Sequence, residues 1–268
     1  MTMAMIMMRM RWVFLVALVC AVALAAQDTA PAPGNASIRA ADLEADVRFL
    51  AGDSMQGRLT DTDGNRQAAD FISSRFARLG LSPVGSDDTH FHRFDLMTTR
   101  LGDDNRLDVT GLPKGEAQLG DEFYPDPASA SRSSSGTVVF VGFGIAAPGL
   151  GHDDYQSADL AGKVALILNH EPGEFDRDSP FDGVVRSEEA RSVRKILAAQ
   201  EQGATAVLLA ADAHNHAERR GLTRSMSSVW PERPTRVARY QLASWLEAVR
   251  IPAVQISADL AERIVEAA

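Results

Sequence analysis

Gly136–Leu168 reads GTVVFVGFGIAAPGLGHDDYQSADLAGKVALIL. Thr137–Val141 is a β-branched apolar run and predicts a strand. Lys163–Leu168 predicts a second; after its lysine it is continuously apolar, the pattern of a strand buried on both faces. Between them, Gly142-Phe143-Gly144-Ile145-Ala146-Ala147 matches G-x-G-x-x-G/A, the spacing of a dinucleotide-binding loop. Such a loop needs a helix to open at its third small residue, so that the helix N-terminus holds the pyrophosphate. Here Ala147 is followed by Pro148-Gly149-Leu150-Gly151, which cannot sustain a helix. The match therefore reads as glycine-permitted bends at a strand end, followed by a turn-rich loop with Asp153-Asp154-Tyr155.

Downstream, Ser187–Gln202 predicts a helix. Ser187 is placed as its cap, Glu188 and Glu189 suit the N-terminal dipole, and Ala190, Val193 and Leu197 form the inward face. Gly203 ends it, and Ala204–Ala210 predicts a third buried strand. Strand, helix and strand make one βαβ unit. Ile251–Ser257 predicts a fourth strand, and Ala258–Ala268 begins a helix. Upstream, Pro125–Gly136 (PDPASASRSSSG) is all small, polar or proline and reads as a linker. Strand-like pieces occupy His90–Met97 and Leu107–Thr110.

Further toward the N-terminus, Leu43, Val47 and Leu50 recur on one helix face, with Ser37 as a possible cap and Gly52 as the stop. Asn65–Leu79 predicts a second helix, with Ala68, Ile72, Phe76 and Leu79 as its apolar stripe and Gly80 after it. Gly52–Arg58 (GDSMQGR) is the loop between them.

The first residues read as a targeting segment. Arg9 and Arg11 form a basic start, and Trp12–Ala25 is an uncharged apolar run too short for a comfortable membrane span. Residues 1–26 are thus assigned as a signal peptide cleaved near Ala25 or Ala26, and residues 27–36 as a flexible leader. Removal of the two arginines takes the net charge from −9 to −11. That acidity argues against nucleic acid and anionic membrane as partners, because phosphates repel it. Cys20 is the only cysteine; Leu18-Val19 before it lacks the small residue that a lipidation site needs. The mature chain then has neither disulfides nor a thiol nucleophile.

Several motifs in order carry a resemblance. Val139–Ile145, Asp153-Asp154-Tyr155, Asp159–Leu166, Lys195–Leu208 and Ile251–Ser257 together resemble a protease-associated (PA) domain, as inserted into exported zinc aminopeptidases. Phe49–Asp53, Gly57-Arg58, Gly64–Ile72, Phe76 and Leu79–Leu81 resemble the opening of the same peptidases. The resemblance covers nearly all of Ile38–Ala268. It implies an α/β fold: an N-terminal helical segment of an incomplete peptidase domain (37–122), then a β-rich α/β domain of PA type with the start of a following helix (123–268). It also implies an exported protein, periplasmic or extracellular, that works in peptide hydrolysis. In that family two zinc ions polarise the carbonyl and generate hydroxide, with a glutamate as general base. The family places those ligands after the PA domain, so none transfers to a residue here. The expectation is a non-catalytic N-terminal portion, with zinc belonging to the intact family and none held by this chain. Its expected partners are peptide substrates or a C-terminal catalytic domain. The alternative is a stand-alone secreted PA-type binding module; the oligomeric state is left open.

His90-Phe91-His92 and His214-Asn215-His216 are both His-x-His, which on a strand places two imidazoles on one face. Neither has a carboxylate spaced to complete a set, so both read as surface or structural. Asp153-Asp154 and Asp103-Asp104 suit calcium, but turn formation explains them better. Ser133, Ser134 and Ser135 lie in the linker with no base nearby. Arg58 reads as a tether of its loop to carbonyls. No catalytic, cofactor-binding or metal-binding residue is assigned.

Overall fold

The computed structural model describes residues 37–267, apart from 113, 114, 214, 217–221, 234 and 236. The signal segment and leader assigned to 1–36 lie outside the described residues. No helix among the described residues is long and apolar enough to cross a membrane. The chain divides into two compact units, 1–91 and 92–268.

In the first unit, helix α1 (Ala40–Leu50) leads through a 3-10 turn over Asp53–Met55 to helix α2 (Asp63–Arg78). Thr62, not anticipated from the sequence, caps α2 by accepting from the Asn65 amide. Arg39, not Ser37, occupies the N-cap position of α1. Phe49 stacks on Phe71 with ring centroids 4.3 Å apart, and Arg75 Nε lies 3.4 Å from Asp46. The loop between the helices is held through its backbone: the Arg58 amide donates to Met55, and the Arg58 carbonyl accepts from Asn65. Its Arg58 side chain is exposed.

The second unit is α/β. Its strands among the described residues are β1 (Leu96–Met97), β2 (Phe123–Pro125), β3 (Val138–Phe140), β4 (Ala146–Ala147), β5 (His152–Asp153), β6 (Val164–Leu168), β7 (Ala206–Ala210), β8 (Gln241–Leu242) and β9 (Ala253–Ile256). Its helices are α3 (Ser192–Glu201), α4 (Leu222–Val229), α5 (Ala243–Ala248) and α6 (Ala258–Glu266). The main sheet has the order β2-β9-β7-β6-β3, and its last four members run parallel. Strand β2 pairs antiparallel with β9.

The period of two along a strand divides the core. Ala165, Ile167, Val207 and Leu209 pack on one face with Val193, Ile196 and Ala199 of α3 and with Trp245 and Leu246 of α5. Val164, Leu166, Leu208 and Ala210 pack on the other with Leu260 and Ile264 of α6. Burial on both faces thus explains the unbroken apolar runs of β6 and β7. Ser257 caps α6 by accepting from the Leu260 amide.

Three expectations are corrected. Helix α3 begins at Ser192 rather than Ser187, and its buried stripe is Val193, Ile196 and Ala199 instead of Ala190, Val193 and Leu197. The stretch from Pro125 to Gly136 is no linker at its start. Asp126 and Ala128 are buried, and the Ser129 hydroxyl accepts from the Ala253 amide. Small residues are there because they lie against a sheet edge. Finally, His90–Met97 forms a strand only over its last two residues.

The glycine loop behaves as its context requires. Gly144 has φ +63°, and a Cβ there would meet Ile167 side-chain carbons at 2.6–2.7 Å. A 3-10 turn over Pro148–Leu150, not a helix, follows it. Asp154 accepts from the Ile145 amide at 3.1 Å, and the buried Tyr155 hydroxyl donates to the Gly144 carbonyl at 3.1 Å. The loop's amide is therefore spent on a protein carboxylate.

Candidate metal centre

The parallel strands β6 and β7 end side by side, with Leu168 opposite Ala210. Clefts outside the carboxyl ends of parallel strands are where open α/β sheets place their ligands. Two loops leave this edge, one beginning at Asn169 and one at Asp212's neighbour Ala211.

The first loop is braced from below. Lys195 on α3 is buried and its Nζ donates to the Leu168 carbonyl at 2.8 Å and to the His170 carbonyl. Burial lowers the Lys195 pKa to about 7, opposed by the charges of Asp154, Glu171, Asp212 and Glu174. Next along the loop, the fully buried Glu171 accepts from the Ser187 amide at 3.1 and 3.2 Å and from its hydroxyl. That is the work of Ser187, which the sequence placed as a helix cap. His170 itself is held at φ +67°, a left-handed conformation uncommon outside glycine and a place to look for function. A turn closed by the Asp176 amide on the Gly173 carbonyl then carries Glu174 back toward it.

The second loop is braced by Asp212. Its buried carboxylate accepts from the Asn215 amide at 3.3 Å and side chain at 2.5 Å, and its carbonyl accepts from the His216 amide at 3.1 Å. The result is convergence. His216 Nε2 lies 2.7 Å and His170 Nδ1 2.8 Å from the same oxygen, Glu174 Oε2. The two imidazoles meet edge to face at 4.3 Å, and Phe175 flanks His216 at 5.4 Å. Glu174 Oε1 faces Arg186 Nε at 3.6 Å. His170, His216 and Glu174 each offer one ligand atom, all within 4.8 Å of one another.

Glu174 is 6% exposed, whereas its histidine partners keep part of their rings in solvent. The His170 Nδ1 atom is buried and, despite its distance to Glu174, is not aligned for a hydrogen bond. Burial lowers the pKa of His170, against the pull of Glu174. A neutral imidazole is the form that ligates a metal. Two imidazole nitrogens and a carboxylate oxygen are a donor set suited to zinc and related divalent ions.

Among the described residues of the two His-x-His motifs, only His216 enters this cluster, and it does so with His170 and Glu174. His214, its proposed partner, lies outside the described residues. His90 packs edge-on against Phe76 at 5.8 Å, and His92 lies 6.1 Å from Phe94. Glu188 pairs with Arg191 at 3.0 Å ahead of the helix rather than in its first turn. Asp153 and Asp154 are turn formers, accepting from the Tyr155 and Ile145 amides. Asp103, Asp104, Ser133, Ser134 and Ser135 are exposed. His170 and Glu174 were not singled out from sequence. The signal that finds them is positional: a histidine and a glutamate four apart, immediately after the most apolar strand.

No protein-family model and no curated protein sequence matches the chain. Among solved structures, the aminopeptidase from Aneurinibacillus sp. strain AM-1 is similar to it at 14% identity and a TM-score of 0.32, over 82% of this chain and 42% of that one. BSAP, a zinc aminopeptidase from Bacillus subtilis, is similar at 15% identity and a TM-score of 0.33, over 83% and 40%. The chain thus spans less than half the length of either structure.

Proposed function

We propose that the chain is the non-catalytic N-terminal portion, with a PA-type domain, of an exported zinc-dependent aminopeptidase-like hydrolase. The ordered motifs from Ile38 to Ala268 support this reading. The structural observation that carries it is the stripe on α1 and α2. Leu43, Val47, Ile72 and Phe76 are 53%, 63%, 41% and 39% exposed. Leu43 and Val47 recur on one face of α1 and Ile72 and Phe76 on one face of α2, and although Phe76 meets the His90 ring, much of this apolar surface is exposed, as expected if it seats on a catalytic domain. In this role the PA-type domain flanks the substrate cleft and restricts which peptides enter.

The coding DNA beyond the Ala268 codon tests the first part. A frame that continues into His, Asp and Glu-Glu zinc ligands supports it; a stop codon in intact genomic sequence overturns it. Fusion to a complete catalytic domain tests the second. An unchanged peptide-length preference with and without the PA-type domain (residues 123–268) would sink the gating role.

A second reading, a secreted PA-type binding module that acts alone, has its own observation. Strands β6, β7 and β9 are covered on both faces within residues 92–268, so this unit has a closed core without a further domain.

A further inference from the structure

We propose that His170 Nδ1, His216 Nε2 and the Glu174 carboxylate bind one divalent transition-metal ion of the zinc class. This site does not rest on the aminopeptidase reading. The resemblance places that family's zinc ligands after the PA domain, so the two metals are separable by residue.

The ordinary explanation is a hydrogen-bonded His–Glu–His group. Three observations favour a metal. Both ring nitrogens crowd one oxygen, Glu174 Oε2, at 2.7 and 2.8 Å, and that of His170 is buried without an aligned hydrogen bond. Ligands about 2.0–2.1 Å from a tetrahedral zinc lie roughly 3.3–3.4 Å apart, so small side-chain rotations open the trio to the required spacing. The trio also has a built support. Lys195 fixes the His170 carbonyl, Ser187 saturates the neighbouring Glu171, and Asp212 sets the turn that carries His216. Such outer contacts are what orient metal ligands. Lastly, His170 holds a left-handed backbone at φ +67°, which points its ring from one loop to meet a ring from another.

The donor set selects the ion. Two imidazoles disfavour calcium and magnesium, which take oxygen ligands. Three protein ligands leave a fourth position for water.

The probe is the metal alone, added to the full chain after chelator treatment, at neutral pH. Zinc titration by calorimetry is expected to saturate at one ion per chain. Cobalt in place of zinc is expected to give visible ligand-field bands. Glu174→Gln and His216→Ala each remove a ligand and should weaken zinc binding by at least about 10- to 100-fold, the loss that outer-shell changes alone produce. His152→Ala should leave it unchanged. Circular dichroism of the metal-free variants should match that of the parent, which separates lost binding from lost folding. Should His170→Ala misfold because of its backbone, His216→Ala on the other loop still decides. A folded parent chain with no saturable zinc binding overturns the proposal. So does zinc that binds equally well to Glu174→Gln and His216→Ala.

Discussion

Gly64 lies so close to Met55 that a Cβ on it would sit 1.9 Å from the Met55 carbonyl oxygen. The contact joins the first turn of α2 to the loop that precedes it, where Met55 is the most buried side chain among the unit's described residues. Because the obstacle is backbone, a neighbouring rotamer cannot relieve it. Gly64→Ala should destabilise residues 37–91 by about 1–3 kcal/mol, the usual cost of overpacking. Faster amide hydrogen exchange in α2, with β6 and β7 unchanged, is the expected readout.

Asp126 predicts a pH dependence. Burial raises its pKa above the ordinary carboxylate value, opposed by hydrogen bonds from Ala128, Gln255 and Ser192. The folded state therefore binds its proton more tightly than the unfolded chain does. The stabilisation is fully present below the unfolded value and is lost as pH rises through the higher folded one. Asp126→Asn should remove this component, so the stability difference between parent and variant should shift in the parent's favour on acidification across that window. Denaturant titrations at stepped pH measure it. A difference that stays constant across the window would contradict the assignment.

Asp154 should matter for folding, not for ligand binding. Asp154→Ala leaves the Ile145 amide without its acceptor in a half-buried place, at a cost of about 1–3 kcal/mol. Neither parent nor variant should bind a nicotinamide dinucleotide in a calorimetric titration, since no helix N-terminus follows the glycines.

The exposed stripe should tolerate charge. Leu43→Lys and Val47→Lys should change stability by no more than about 0.5 kcal/mol, as is usual for surface positions. They should reduce self-association in sedimentation experiments, because they break an apolar patch. A large loss of stability would mean that these side chains are packed in solution.

The sheet was readable because its strands obey one rule: buried on both faces, they are continuously apolar. Val164–Leu168 and Ala206–Ala210 stand out for that reason. Gly203, at φ +87°, likewise marked the end of α3. The start of that helix was misread because Ser187 and Glu188 carry a capping pattern, while a tertiary partner, the Glu171 carboxylate, holds Ser187 elsewhere. The PDPASAS stretch looked like a linker because composition does not show that Asp126 and Ser129 meet Gln255 and Ala253 across the sheet edge. The metal-type cluster was only one-third visible. His216 was noted, but its partners lie 42 and 46 positions upstream in another loop, and loop-to-loop convergence leaves no local pattern.

The order of the main sheet has a consequence for biosynthesis. Strands β3, β6, β7 and β9 pair with one another in the order in which the chain is made. Each new strand meets a neighbour that has already left the ribosome. Strand β2 is the exception: it is made before all four but pairs with β9, the last. Its Phe123 and Tyr124 must wait without their neighbouring strand until the rest is complete, and such edges are where chains mispair. Stalling translation before Ala253 should therefore leave a nascent chain that holdase chaperones recognise at β2.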